Sequence, residues 1–196
     1  IFVVIGHVLT TTAKKKPTFT PPTFQWVFLT PKYWLTWLTI IPLYLLSWLP
    51  LGIQLKLGAG IGLFLHKLLG RRRAIADRNL ALCFPDMSSR ERQALVRENF
   101  KNAGIALFES GISWWWPSWR ANRICHVKGQ EHIDCALSQG KGVLLLFFHV
   151  LPLEMMGRVL GERGYPCVGF YRPHNNKLLE WVQYRGRCRA NKYMIG

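Results

Sequence analysis

Acidic side chains are scarce in this chain: 10 Asp and Glu stand against 26 Lys and Arg, leaving a net charge of +16. That imbalance points to a polyanionic partner, whether nucleic acid, an anionic membrane surface, or an acidic carrier or substrate. Cys-x-x-Cys spacing is missing as well, since Cys83, Cys125, Cys135, Cys167 and Cys188 all stand singly. An odd, scattered set argues against a disulfide framework and a zinc site, so reduced thiols and no metal are expected. Neither a Walker-type phosphate loop nor a Gly-x-Gly-x-x-Gly turn before a helix occurs, and no cofactor is expected. Recognition-helix and stacking-sheet motifs are absent too, which removes nucleic acid and leaves the charge to membranes and acidic partners. Charged residues are only 18% of the 196, whereas hydrophobic ones reach 49% with nine tryptophans. That composition suits one domain with a sizeable core, and it leans toward lipid.

The opening "IFVVIGHVLTTTAKKK" places its positive charges after the apolar residues, the reverse of a secretory signal, and is too short to span a bilayer. With the proline-rich "PTFTPPT" it makes residues 1–23 a leader and linker. Between Lys32 and Lys56 the chain carries no charge, a length that meets the roughly 20 residues of a membrane-spanning helix. Tyr33, Trp34 and Trp37 sit beside Lys32 as an interfacial belt would place them. Pro42 and Pro50 oppose a straight span, and Pro50-Leu51-Gly52 reads as a break, which fits a kinked helix inserted from one side. "LGAGIGLFLHKLL" follows and ends at Arg71, Arg72 and Arg73, with Arg78 beyond. Residues 24–70 are therefore expected to anchor the chain, with those arginines on the cytoplasmic side.

Ser88 and Glu91 form a capping box, and Leu95, Val96, Phe100, Ala103 and Leu107 then recur at helical spacing as one apolar face. "SWWWPSWR" ends that helix, and its tryptophans are expected at a bilayer interface. "VLLLFF", residues 143–148, reads as a strand buried on both faces, and "CVGFY", residues 167–171, as a second. A helix from Pro152 to about Arg163 joins them into a right-handed β-α-β unit of a parallel sheet.

His149 falls where that strand's carboxyl end meets the helix, the place where open α/β sheets hold ligands. Glu154 lies in the first helical turn, where the dipole favours its ionised form, and a carboxylate there would orient an imidazole. No serine or cysteine nucleophile stands beside the pair, so the histidine would act on a substrate hydroxyl. Taken alone, the His-x4-Glu spacing fits a strand-end histidine and a solvated glutamate better than a catalytic pair.

Longer blocks change that balance. "HVLPLE" matches the H-x4-(D/E) motif of membrane acyltransferases. "PKYWLTWL", "RNLALCFPDMSSRERQ" and "YRPHNNKLLEWVQYRGRCRANKYMIG" together resemble the late acyltransferases of lipid A biosynthesis, over residues 24–196. The lauroyl and palmitoleoyl branches that act on Kdo2-lipid IVA are the most similar. The resemblance implies an α/β fold: N-terminal membrane-anchoring helices, then a glycerolipid-acyltransferase-like mixed or parallel sheet with flanking helices. Residues 71–196 would be the N-terminal part of a catalytic domain that runs on past Gly196. It further implies acyl transfer from acyl carrier protein to a hydroxyl of a lipid A precursor at the cytoplasmic face of the bacterial inner membrane. His149 would be the general base, Glu154 its orienting partner, and Arg187 a donor to the tetrahedral oxyanion. Tyr171, Arg172 and Asn175 match a neighbouring block and suit phosphate or carboxylate recognition. Arg185 and Arg189 join them as candidates, though they read more readily as helix-surface arginines. The partners implied are the acidic carrier protein, Kdo2-lipid IVA and anionic membrane lipids. Another glycolipid or glycerophospholipid acceptor, or a membrane-bound binding domain without catalysis, are the alternatives.

Overall fold

A computed structural model describes residues 2–5, 20–146, 150–165, 167–191 and 193–195. The chain divides into two compact units, one of Ile1–Tyr44 with Ser110–Gly196 and the other of Leu45–Glu109.

In the first unit a four-stranded sheet runs β2 (Val143–Leu146), β1 (Phe2–Ile5), β3 (Cys167–Phe170), β4 (Tyr193–Ile195). β1 pairs antiparallel with both neighbours, Val3 lying opposite Leu145 and Gly169, while β3 and β4 are parallel. The sheet is therefore mixed. The β-α-β unit expected over 143–171 has a strand from the supposed leader between its two strands. Nor is β2 buried on both faces. Val143 and Leu145 pack beside the buried Leu160, Tyr165 and Cys167, whereas Leu144 and Leu146 are 65% and 64% exposed. A continuous apolar run cannot distinguish one covered face from two, because the covering depends on where helices return. Helices α6 (Gln130–Ser138) and α7 (Leu153–Glu162) supply that cover through Ile133, Leu137 and Leu160. Pro152 is the residue before α7 rather than its first. Phe147, Phe148 and His149 lie outside the described residues.

The main core of this unit joins Phe28, Tyr33, Ile40, Trp114, Leu178 and Val182. It brings together a 3-10 turn (Trp26–Leu29), α1 (Pro31–Ser47), the end of α4 (Ser89–Trp115) and α8 (Lys177–Arg187). Edge-on aromatic pairs such as Phe28–Tyr33, 5.2 Å between centroids, give it directional packing. Here the expected interfacial tryptophans divide. Trp114 and Trp116 are core residues at 7% and 2% exposure, and only Trp119 stands well out at 62%.

The second unit holds α2 (Leu51–Leu68), α3 (Gly70–Cys83) and most of α4. The uncharged stretch is not one helix. It breaks at Trp48–Pro50, as Pro50 predicts, and the buried Gln54 closes the break by donating to the carbonyls of Ser47 and Leu49, both at 2.7 Å. α1 has 17 residues, which at about 1.5 Å each falls short of a hydrocarbon core of about 30 Å. α2 carries Gln54, Lys56, His66 and Lys67. No described helix is long and apolar enough to cross a membrane, which corrects the expectation of a spanning helix. The Ser88–Glu91 capping box is present in full: Ser88 donates from N–H and Oγ to the Glu91 carboxylate at 2.9 and 2.7 Å, and Glu91 N–H returns to Ser88 Oγ at 3.3 Å. Those Ser88 bonds hold the Glu91 carboxyl below its ordinary pKa.

The buried edge of α4 differs from the expected face. Val96, Phe100, Gly104, Phe108 and Ile112 lie inward or partly inward, while Leu95, Ala103 and Leu107 are exposed. Gly104 explains the shift. Its position faces the backbone of Gly58 and Gly62 on α2, where a Cβ would come 2.6 Å from Gly62 N and 2.8 Å from its Cα. Three glycines let the two helices touch backbone to backbone, so the smallest residue marks the contact and a search for large apolar residues passes over it.

Gly104→Ala is therefore expected to lower stability by roughly 1–3 kcal/mol, although alanine normally favours a helix by about 1 kcal/mol. The urea midpoint reads this, and an unchanged or higher midpoint would refute the close approach. Burial also lifts the Cys167 thiol to about 11, so at about pH 8 it stays protonated and unreactive. Alkylation of the native chain should mark the exposed Cys83 and Cys135 and spare Cys167 until denaturant is added.

Candidate functional site

Glu154 enters the interior because α7 begins directly after the β2 connection, with this residue in its first turn. Its side chain is only 14% exposed, and Arg187 opposite is 12% exposed. The arginine reaches it from the last turn of α8 and binds it as a fork, Nε lying 3.2 and 3.0 Å from the two carboxylate oxygens and Nη2 closing on Oε1. Trp114 Nε1 donates to Oε2 at 2.9 Å, and Gln183 Nε2 to Oε1 at 3.3 Å. Ser113 Oγ donates to the Glu154 carbonyl at 2.9 Å, fixing the main chain too.

Behind this pair lies a second one. Arg158, one turn further along α7 and 3% exposed, pairs with Glu162 at 3.0 Å. Its Nη1 donates to the carbonyls of Ile112 and Ser113 at 3.0 and 2.8 Å, and Nη2 to that of Trp116 at 2.7 Å. Burial pulls the Arg158 guanidinium pKa down, and the Glu162 carboxylate opposes that shift. Arg189 Nη1 takes the Trp115 carbonyl at 3.1 Å.

On the other side of Arg187 the Tyr171 ring lies 5.0 Å from the guanidinium carbon. The Tyr171 hydroxyl donates to Glu180, whose other oxygen accepts the His174 N–H at 2.7 Å. Burial, then the Glu180 contact, raises the Tyr171 phenol well above its ordinary pKa, so it remains a donor across the physiological range. Asn176 caps α8, its Oδ1 accepting from the N–H groups of Leu178 and Leu179. Gly186 allows Trp114 against α8, since a Cβ there would run into the indole.

Of the residues expected from sequence, the fold brings together Glu154, Arg187 and Tyr171. Arg172, Asn175, Arg185 and Arg189 are exposed. Arg185 and Arg189 rim a groove of about 410 Å³ floored by Trp114, Trp115 and Trp181, with Arg185 over the Trp181 ring at 5.6 Å. His149 lies outside the described residues. Sequence reasoning missed Trp114, Arg158, Glu162, Glu180 and Gln183. Their signal was helical spacing: Glu154, Arg158 and Glu162 fall at i, i+4, i+8, and Glu180, Gln183 and Arg187 at i, i+3, i+7. No group of three or more His, Cys, Asp or Glu suited to a metal occurs among the described residues.

The family model for bacterial lipid A biosynthesis acyltransferases matches residues 21–196. A lipid A biosynthesis palmitoleoyltransferase of Escherichia coli strain K12 is 44% identical over 169 residues, covering 86% of this chain and 55% of that protein. A lipid A biosynthesis lauroyltransferase of the same strain is 43% identical, covering 89% and 56%. A lipid A biosynthesis acyltransferase of Haemophilus influenzae is 42% identical, with the same coverage of 89% and 56%. The chain thus spans about half the length of the curated relatives it matches. No solved structure matches it.

Removing one partner of the mostly buried Glu154–Arg187 pair leaves an uncompensated charge. Glu154→Ala and Arg187→Ala are each expected to cost roughly 3 kcal/mol or more, with the double variant costing clearly less than the sum. Chemical denaturation of the four chains measures the coupling, and additive losses would show that the pair does not act as one.

Proposed function

This chain belongs to the bacterial lipid A biosynthesis acyltransferases, and on that footing we propose that it carries the acid–base and acceptor-binding half of an acyl transfer from acyl carrier protein to a hydroxyl of a lipid A precursor. His149 takes the proton of the acceptor hydroxyl as that oxygen attacks the thioester carbonyl carbon. The tetrahedral oxyanion then collapses, the carbon–sulfur bond breaks, and the imidazolium returns its proton to the departing sulfur. Glu154 stabilises the imidazolium, five positions along the chain from it.

The observation that carries this reading is the Glu154 carboxylate, which is not a solvated glutamate at a helix start. It is enclosed and held by Arg187, Trp114 and Gln183, the preorganisation that a charge-stabilising group needs. Arg187 uses Nε and Nη2 on Glu154, and in this reading its remaining nitrogen, Nη1, donates to the developing oxyanion. Tyr171 steadies the guanidinium from below. Exposed Arg172 and Asn175, with Arg185 and Arg189 at the tryptophan-floored groove, receive the phosphates and sugar carboxylates of Kdo2-lipid IVA. Apolar residues exposed along α1, namely Trp34, Leu35, Leu38 and Ile41, favour a helix lying on the inner-membrane surface.

Transfer of labelled acyl groups from acyl carrier protein to Kdo2-lipid IVA, followed by mass spectrometry of the product, tests the proposal. His149→Ala is expected to reduce kcat by about 10²–10⁴-fold, and Glu154→Gln to lower it while leaving acceptor binding nearly unchanged. Retained turnover in His149→Ala would remove the base, and acylation of glycerol phosphate alone would overturn the acceptor.

A further inference from the structure

Within the second unit, the end of α2, the start of α3 and the first turns of α4 enclose a cleft of about 700 Å³. Its lining sets His66, Arg73, Arg90 and Arg97 against a single carboxylate, Asp77. That carboxylate already faces Arg92, 3.5 Å from Nε to Oδ1. Arg73 is steered by donating through Nη1 to the His66 carbonyl at 3.0 Å. Among the described residues the side chains of Arg90 and Arg97 have no hydrogen-bond or ion-pair partner. The cleft is therefore a concentration of positive charge with unused donors. His66 registers the field, its imidazole pKa lowered first by partial burial and then by Arg73 and Arg97.

Like charges gathered in a concavity repel one another, and an entering anion relieves that repulsion. Three guanidinium forks match the several acceptor oxygens of a phosphate better than the two of a carboxylate. We infer that this cleft is a binding site for a phosphate group, free or at the head of a lipid. Recognition of phosphate here is independent of the acyl-transfer reading, since none of these residues takes part in it.

The test uses the full chain and two phosphate sources. Calorimetric titration with pyrophosphate supplies the free one. Co-sedimentation with phosphatidylcholine vesicles, with and without phosphatidic acid, supplies the lipid one. Arg90→Ala/Arg97→Ala is expected to weaken binding by about tenfold or more, with its thermal midpoint held. Arg71→Ala/Arg72→Ala removes equal charge from outside the cleft and is expected to stay within about twofold. Cleft-dependent binding of either source supports the site and identifies its natural form. Equal losses in the two variants, or no saturable binding of either source, would overturn it. So would cleft-dependent binding of an acidic carrier protein lacking its phosphopantetheine when neither phosphate source binds.

Discussion

The end of α4 terminates inside the first unit, and its main-chain carbonyls must find donors there. A helix leaves its last four carbonyls without intrahelical partners, and Ile112, Ser113, Trp114 and Trp116 are all nearly inaccessible to water. Arg158 and Arg189 supply the donors, covering the carbonyls of Ile112, Ser113, Trp115 and Trp116 between them. Because Arg158 belongs to α7, this capping fixes α7 against α4. Glu154, one turn away on α7, is thereby brought to Trp114 Nε1. The carboxylate's location follows from satisfying a helix end.

This arrangement also sharpens the charge imbalance. Of the 10 acidic residues against 26 basic ones, Glu154, Glu162 and Glu180 are engaged within the first unit by Arg187, Arg158 and Tyr171. What remains to offset the surface arginines is smaller than composition suggests. An arginine buried with a carboxylate is locally neutral, whereas those at the tryptophan-floored groove and the α2–α3–α4 cleft are not. The positions that the proposals above open to an anion are therefore set by which arginines lack carboxylates, and only tertiary structure determines that.

Several local features were legible because neighbouring residues decide them. The capping box at Ser88 and Glu91, the break at Pro50, the helix following Pro152 and the strand at Cys167 all rest on such short-range chemistry. What escaped depended on distant chain. β1 comes from residues 2–5 and separates two strands that sequence places side by side, and no local pattern reports a strand arriving from far away. The α4 contact turned on Gly104, which a search for large apolar residues passes over. The tryptophans were placed at an interface because their size makes full burial costly. Trp114 is accommodated by a glycine on α8 and a carboxylate on α7. Glu154, Arg187 and Tyr171 were singled out by the family blocks, but their mutual contact was not.

A carboxylate offers about four acceptor positions, and Glu154 already receives Arg187 Nε, Arg187 Nη2, Trp114 Nε1 and Gln183 Nε2. An imidazole N–H reaching the same oxygens must take the place of one of them. The fork from Arg187 carries charge and two bonds, and the indole bond is short at 2.9 Å. Gln183 is the weak member: its bond is 3.3 Å long, and its own Oε1 is buried without a partner. A swing of that amide would open one carboxylate position and let Oε1 find a donor. In the proposed mechanism the histidine is thus received by a site already full, and Gln183 is the residue whose displacement costs least.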